Sequence, residues 1–345
     1  MRALVLTEYN HFELLEVPAP AVVPGDVLIA VQACGICGSD VHGMDGSTGR
    51  RQPPIIMGHE AAGIITKVGA GVTEWKTGDR VTFDSTVYCG ECVYCKQGRV
   101  NLCENRRVLG VSCDDYRQHG AFAEFISVPE RILYRIPDGV PYEHAAMVEP
   151  VSVALHAASR VKSGPEDCAV VIGAGMIGLL IVQALRVQCC GQIIALDVDE
   201  SRLALATQCG AHFTLNPSRI DVPTAVRART HGFGADTVFE AVGANDTVNA
   251  AIESVRKGGS VVLVGNVSPK VDLPLQRVVT QEISLFGSCA SAGEYPRCLE
   301  LMARGDIQVD SLISATTSLE DGAEWFERLH ARERGLMKVI LKPSI

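Results

Sequence analysis

The sequence predicts an α/β chain in two parts, a barrel-like all-β region and a doubly wound parallel sheet. Three observations carry this. Short apolar runs broken by Gly and Pro fill the first ~150 residues. Strand-length and helix-length segments alternate from about residue 164 onward. A glycine-rich turn stands between the first strand and the first helix of that alternation.

The chain has 345 residues, more than one ordinary core needs, so two domains are expected. With 47% apolar and 21% charged residues it has the composition of a folded globular protein. A net charge of −9 argues against nucleic acid and anionic membranes as partners. No run is long and apolar enough for a membrane span, and the N-terminus meets charge too early for a signal-peptide core. A cytoplasmic protein is therefore expected. Its 13 cysteines, an odd number, then read as thiols or metal ligands and not as a disulfide framework.

In the first part, residues 3–6, 26–31, 62–68, 79–83 and 123–128 read as strands. Turn chemistry such as Pro24-Gly25-Asp26 and Thr77-Gly78-Asp79 separates them. In the second, strands are expected at 169–172, 193–196, 237–239, 261–264 and 284–286, with helices at 176–189 and 200–208. The last ~55 residues are mixed, with helices at 295–304 and 320–330 and a closing strand at 338–341.

Gly173, Gly175 and Gly178 form a Gly-x-Gly-x-x-Gly turn after a strand and at the start of a helix. Gly173 serves the tight turn, Gly175 lets backbone approach a pyrophosphate, and Gly178 allows close helix–strand packing. The helix N-terminus offers free N–H groups to the phosphates. A second strand ends in Asp197, nineteen residues beyond Gly178. A carboxylate there binds both ribose hydroxyls of NAD and repels the 2′-phosphate of NADP. This is the Rossmann arrangement, and NAD is the expected cofactor. Arg202 is either an adenine-side contact or an ordinary solvated helix charge.

Cys89, Cys92, Cys95 and Cys103 put four thiols within fifteen residues. Zinc takes tetrahedral thiolate coordination, and a Cys₄ site is closed and structural. Disulfides are the alternative, disfavoured in a reducing compartment. A nucleic-acid zinc finger is disfavoured by Glu91 and Glu104 among the local basic residues and by the acidic chain as a whole.

Cys37-Gly-Ser39-Asp40-x-His42 precedes Gly58-His59-Glu60, and Glu149-Pro150 closes the β region. A catalytic zinc needs about three protein ligands and an open position, which Cys37, His59 and a carboxylate would supply. Each residue alone has an ordinary reading as a buried thiol, a hydrogen-bonded histidine or a surface acid. His212 and His231 are read that way.

Together these motifs resemble the zinc-dependent medium-chain dehydrogenase/reductase family over essentially the whole chain. The Glu149-Pro150 pair is similar to its sorbitol (polyol) dehydrogenase branch. The resemblance implies a GroES-like catalytic domain from residues 1–150 and 288–345, with a Rossmann NAD-binding domain at 151–287 between them. It implies two zinc ions per chain, one catalytic and one structural. Cys37 and His59 would bind the catalytic zinc, Glu60 would be a direct ligand, and Glu149 would reach the metal or its water less directly. Asp40 would orient the His59 imidazole. The resemblance assigns Met176, Ile177, Gly265, Asn266 and Cys289 to cofactor contacts, beside the three glycines, Asp197 and Arg202. It also implies a homodimer or homotetramer built through the sheet edge at 284–286.

The expected reaction is reversible oxidation of a secondary hydroxyl of a polyol or sugar alcohol to a ketone. Ser39 is suited to accept the hydroxyl proton and His42 to pass it to water. The polyol match weakens at three positions. Gly43 stands where an aromatic is usual in that branch, and Ala290 and Ser291 stand where Arg-Tyr is usual. Arg50 and Arg51 lie between the two metal segments and read as solvated loop charges, with pairing to a charged substrate group as the alternative. Two other readings compete, a threonine-type amino-alcohol dehydrogenase and a non-catalytic NAD-binding protein. The complete Cys37/Ser39/His59/Glu149 set favours an enzyme, since a binding module has no use for an open metal site.

Overall fold

A computed structural model of the chain describes residues 1–111 and 118–343. The chain divides into two compact units. The first comprises Met1–Glu149, Ala292–Arg304 and Val309–Ile345; the second comprises Pro150–Ser291 and Gly305–Gln308.

In the first unit a seven-stranded sheet runs in the order Leu133–Arg135, Arg80–Phe83, Glu60–Val68, Asp26–Gly35, Lys338–Lys342, Ile313–Ser318. Phe125–Pro129 pairs with Asp26–Gly35 off this path. A smaller sheet joins Arg2–Glu8 to His11–Glu16 and Ile55–Ile56. Asp26–Gly35 buries every second residue at first, as a strand with one face on the core must, and then buries both faces at its end. Its inward residues Val27, Ile29 and Val31 pack with Ile65, Val81, Phe83 and Val128. The parallel pairing of Ile313–Ser318 with the closing strand was not anticipated, because its outward positions are polar and read as loop.

The register at the end of Asp26–Gly35 positions the chemistry. Gly35 lies opposite Glu60 on one side and Ile340 on the other. Three segments far apart in sequence thus meet at one point.

The second unit is a six-stranded parallel sheet in the order Phe213–Leu215, Gln192–Leu196, Cys168–Ile172, Ala235–Glu240, Val255–Leu263, Ser284–Gly287. Strand order therefore reverses between Cys168–Ile172 and Ala235–Glu240. The buried run Cys168–Ile172 is apolar on both faces, as a central parallel strand must be. The helix Met176–Val187 follows it directly and buries Leu179 to Leu185. Among the described residues no helix is long and apolar enough to cross a membrane.

Candidate metal centre and dinucleotide loop

Cys37 sits at the N-cap of a short helix, Gly38–Gly43, immediately after the long strand. Asp40 lies one turn in, fully buried, and its Oδ2 accepts from the Cys37 backbone N–H at 3.4 Å. His59 is 6% exposed and Glu60 1%. Donor atoms of Cys37, His59 and Glu60 all lie within 4.8 Å of one another. That clustering suits a borderline-soft divalent ion with bonds of about 2.0–2.3 Å, and sulfur, imidazole and carboxylate are zinc's ordinary donors. The residues present fit zinc.

The His59 and Glu60 side chains are held from behind. His59 Nδ1 faces Asp40 Oδ1 at 3.5 Å. Arg51 Nη2 donates to the same Asp40 Oδ1 at 2.7 Å, with both side chains almost wholly buried. Burial alone would raise the Asp40 carboxyl, but His59 and Arg51 together hold it well below the usual carboxylate range. The expectation for Arg51 is corrected here: it is 2% exposed and serves as an internal counter-ion, while Arg50 is exposed as expected. The loop sequence concealed this, because a buried arginine is stable only with a partner that folding supplies.

Lys338 is a second residue missed in the sequence. Its Nζ donates to Glu60 Oε2 at 2.5 Å and to the Ile36 carbonyl at 3.0 Å. A Cβ at position 35 would fall 2.4 Å from Glu60 Oε2, so Gly35 leaves the space this carboxylate occupies. Glu149 Oε1 accepts from Ser85 Oγ at 3.3 Å. Glu149 is outside the tight triad. Burial pushes its carboxyl up to about 7, with Glu60 adding to the rise and His59 opposing it. Ser39 and His42 are both exposed on the short helix, and no side-chain hydrogen bond joins them among the described residues.

The four lobe cysteines also converge within 4.8 Å. The pair Thr86–Val87 and Arg107–Val108 closes the lobe's base, and the helix Val93–Lys96 starts at Cys92. Sulfur separations of 3.5 Å (Cys92–Cys95) and 4.0 Å (Cys89–Cys95) are far beyond a disulfide bond and close to the edges of a thiolate tetrahedron. Backbone N–H groups point at the sulfurs: Glu91 and Cys92 donate to Cys89 at 3.5 and 3.4 Å. These donors lower the Cys89 thiol to about 6. The lobe fits a structural zinc.

In the second unit Gly173 has φ +93, and a Cβ on Gly178 would lie 1.7 Å from the Gly173 carbonyl oxygen. A Cβ on Gly175 would meet open space, the clearance that a ligand's approach requires. Asp197 Oδ2 accepts from Ala174 N–H at 2.8 Å and Oδ1 from Asp199 N–H at 2.9 Å, so the acid also ties the glycine loop to its own strand. Arg202 lies 3.9 Å from Asp197. Met176 and Ile177 open the helix, Gly265 and Asn266 follow the strand Val255–Leu263, and Cys289 is exposed just after Ser284–Gly287. Ala290 has φ +50 and Ser291 is buried. His212 is an ordinary histidine, its Nδ1 accepting from Ile193 N–H at 3.0 Å.

A soft metal donor set in one unit and a dinucleotide loop in the other are the working parts of a metal-assisted, nicotinamide-dependent oxidoreductase. Comparison with known proteins agrees. Residues 23–138 match the alcohol dehydrogenase GroES-like domain, and residues 177–304 match the zinc-binding dehydrogenase domain. The chain is 34% identical to sorbitol dehydrogenase of Bacillus subtilis, over 100% of this chain and 98% of that one. It is 35% identical to D-arabitol-phosphate dehydrogenase of Enterococcus avium, over 97% and 95% respectively. A putative zinc-binding dehydrogenase from Sinorhizobium meliloti, solved with NADP bound, superposes with a TM-score of 0.91 at 32% identity, covering 99% of each chain. The chain belongs to the zinc-dependent medium-chain alcohol dehydrogenase family, with the GroES-like and Rossmann folds.

Proposed function

We propose that this oxidoreductase reversibly converts a secondary hydroxyl of a polyol or sugar alcohol to a ketone, with NAD as hydride acceptor. The observation that carries the reading is the Cys37/His59/Glu60 triad, three donor types within 4.8 Å, backed by Asp40–Arg51 and Lys338. When bound there, zinc supplies Lewis-acid polarisation of a substrate oxygen, and the nicotinamide supplies the hydride chemistry. The second zinc, in the Cys89/Cys92/Cys95/Cys103 lobe, is structural.

The protein's own residues do the rest. Asp40 fixes the tautomer and direction of His59. Lys338 neutralises and orients Glu60, so the surroundings of the metal keep limited negative charge. Glu149, on its Ser85 hydrogen bond, supplies a carboxylate at the rim of the site. Ser39 accepts the substrate's hydroxyl proton and His42 passes it to water, consistent with the exposure of both. Gly173, Gly175 and Gly178 receive the pyrophosphate, and Asp197 reads the adenosine ribose. We assign residues 1–150 and 288–345 to the catalytic domain and 151–287 to the NAD-binding domain. A homodimer or homotetramer is supported by the edge strand Ser284–Gly287 and by Leu275 and Val279 on the preceding helix, 63% and 64% exposed.

Polyol relatives support the substrate class. The decisive experiment is a substrate panel of polyols, sugar alcohols, L-threonine and simple secondary alcohols, read by NADH absorbance. Fastest turnover is expected on a polyol or sugar alcohol. Preferred turnover of threonine would replace this reading with the amino-alcohol one, and no turnover with any class would leave a cofactor-binding protein.

A further inference from the structure

Glu240 is fully buried at the carboxyl end of the strand Ala235–Glu240, and among the described residues it forms no ion pair. Every hydrogen bond its side chain makes is accepted. Val242 N–H donates to Oε1 at 2.9 Å, and Gly243 N–H lies 2.9 Å from both Oε1 and Oε2. A carboxylate accepts and does not donate, which matches this environment. An uncompensated buried charge is costly to a fold, so its position is informative.

That position is the point where strand order reverses. Glu240 is in register with Ile172, the last residue before the glycine loop, and with Leu263 on its other side. The turn it anchors touches the cofactor loops on both flanks. A Cβ on Gly173 would lie 2.6 Å from Val242, and one on Gly243 would lie 2.3 Å from Asn266 N. In an open parallel sheet, ligands bind outside the carboxyl ends of the strands at this reversal. Glu240 ends the strand beside the one that carries the glycine loop, so a dinucleotide held in that crevice would lie within reach of its charge.

We propose that Glu240 is a specificity-determining residue for the cofactor's oxidation state, favouring NAD⁺ over NADH by its field on the positively charged nicotinamide ring. The inference rests on the assignment of a nicotinamide dinucleotide to this loop. NAD⁺ and NADH share the same pyrophosphate and adenosine, and they differ in charge only at the nicotinamide. A fixed negative charge at the switch point therefore acts on their ratio, and its effect on the common half cancels.

The test is the ratio of Kd values for NAD⁺ and NADH, by calorimetry and NADH fluorescence, in wild type and Glu240→Gln, with ADP-ribose as a probe lacking nicotinamide. Gln keeps an acceptor for the Val242 and Gly243 N–H groups and removes the charge. The expected result is a shift of about three- to tenfold towards NADH, the size of one partly screened unit charge. Glu240→Asp keeps the charge while disturbing the turn, so its ratio should stay near wild type; a merely structural role would disturb it at least as much as Gln does. If Glu240→Gln does not fold, Glu240→Asn takes its place beside Glu240→Asp: the two share size, and only the uncharged one should move the ratio. An unchanged ratio in the folded variant overturns the proposal while leaving the cofactor assignment intact. Failure of wild type to bind any of the three probes overturns the cofactor assignment, and the proposal with it.

Discussion

Arg51 and Asp40, eleven residues apart, form an ion pair of 2.7 Å in the interior, and the Asp40 oxygen that accepts from Arg51 also faces His59. The histidine proposed as a metal ligand is thus set by a carboxylate that is itself set by an arginine.

Removing one partner of a buried pair strands the other. Arg51→Met should destabilise the protein by about 3–5 kcal/mol. Because Asp40 would lose its counter-ion, it should also lower zinc retention at Cys37/His59/Glu60. Thermal melts and metal analysis of the dialysed protein check both, and an unchanged melting temperature would show that Asp40 does not depend on Arg51.

The four lobe cysteines cluster separately from Cys37, His59 and Glu60. Cys103→Ser should cost one zinc per chain and lower the melting temperature. The remaining zinc should resist the same dialysis. Loss of both metals together would mean the lobe and the triad are not independent sites.

Asp84 is 1% exposed, and burial pushes its carboxyl from 3.8 up to about 7, with Thr86 N–H opposing and Glu149 adding to the rise. Between those values the folded chain holds a proton that the unfolded chain has released, so stability falls as pH rises from about 4 to about 7. Asp84→Asn removes the penalty and keeps the oxygen that accepts from Thr86 N–H at 2.8 Å. It should leave stability unchanged near pH 4 and raise it at pH 8, by on the order of 2–4 kcal/mol. Equal effects at both pH values in denaturant titrations would contradict this.

Asp197→Asn keeps the acceptor that ties down the Ala174 N–H and removes the charge that opposes a 2′-phosphate. The ratio of kcat/KM for NAD over NADP should fall by at least about tenfold. A constant ratio would show that the acid serves only the glycine loop.

Local chemistry was legible along the chain. Gly173, Gly175 and Gly178 announce a turn because a Cβ at 178 collides with backbone, and the four lobe cysteines announce a cluster because a short loop can turn every sulfur inward. The central strands Cys168–Ile172 and Gln192–Leu196 were legible as buried apolar runs, whereas the edge strand Phe213–Leu215, half exposed, was not. These signals are periodicity and spacing, which need no partner from elsewhere. Tertiary structure alone decided which polar side chains would be buried together. Lys338 reaches Glu60 across 278 residues of sequence because both flank Gly35 in adjacent strands, and Arg51 leaves solvent only because Asp40 awaits it. Glu240 acquires its isolation in the same way, from a sheet order that no single segment encodes. Burial of a charge depends on the fold that closes around it, and a lone residue in a sequence carries no mark of that.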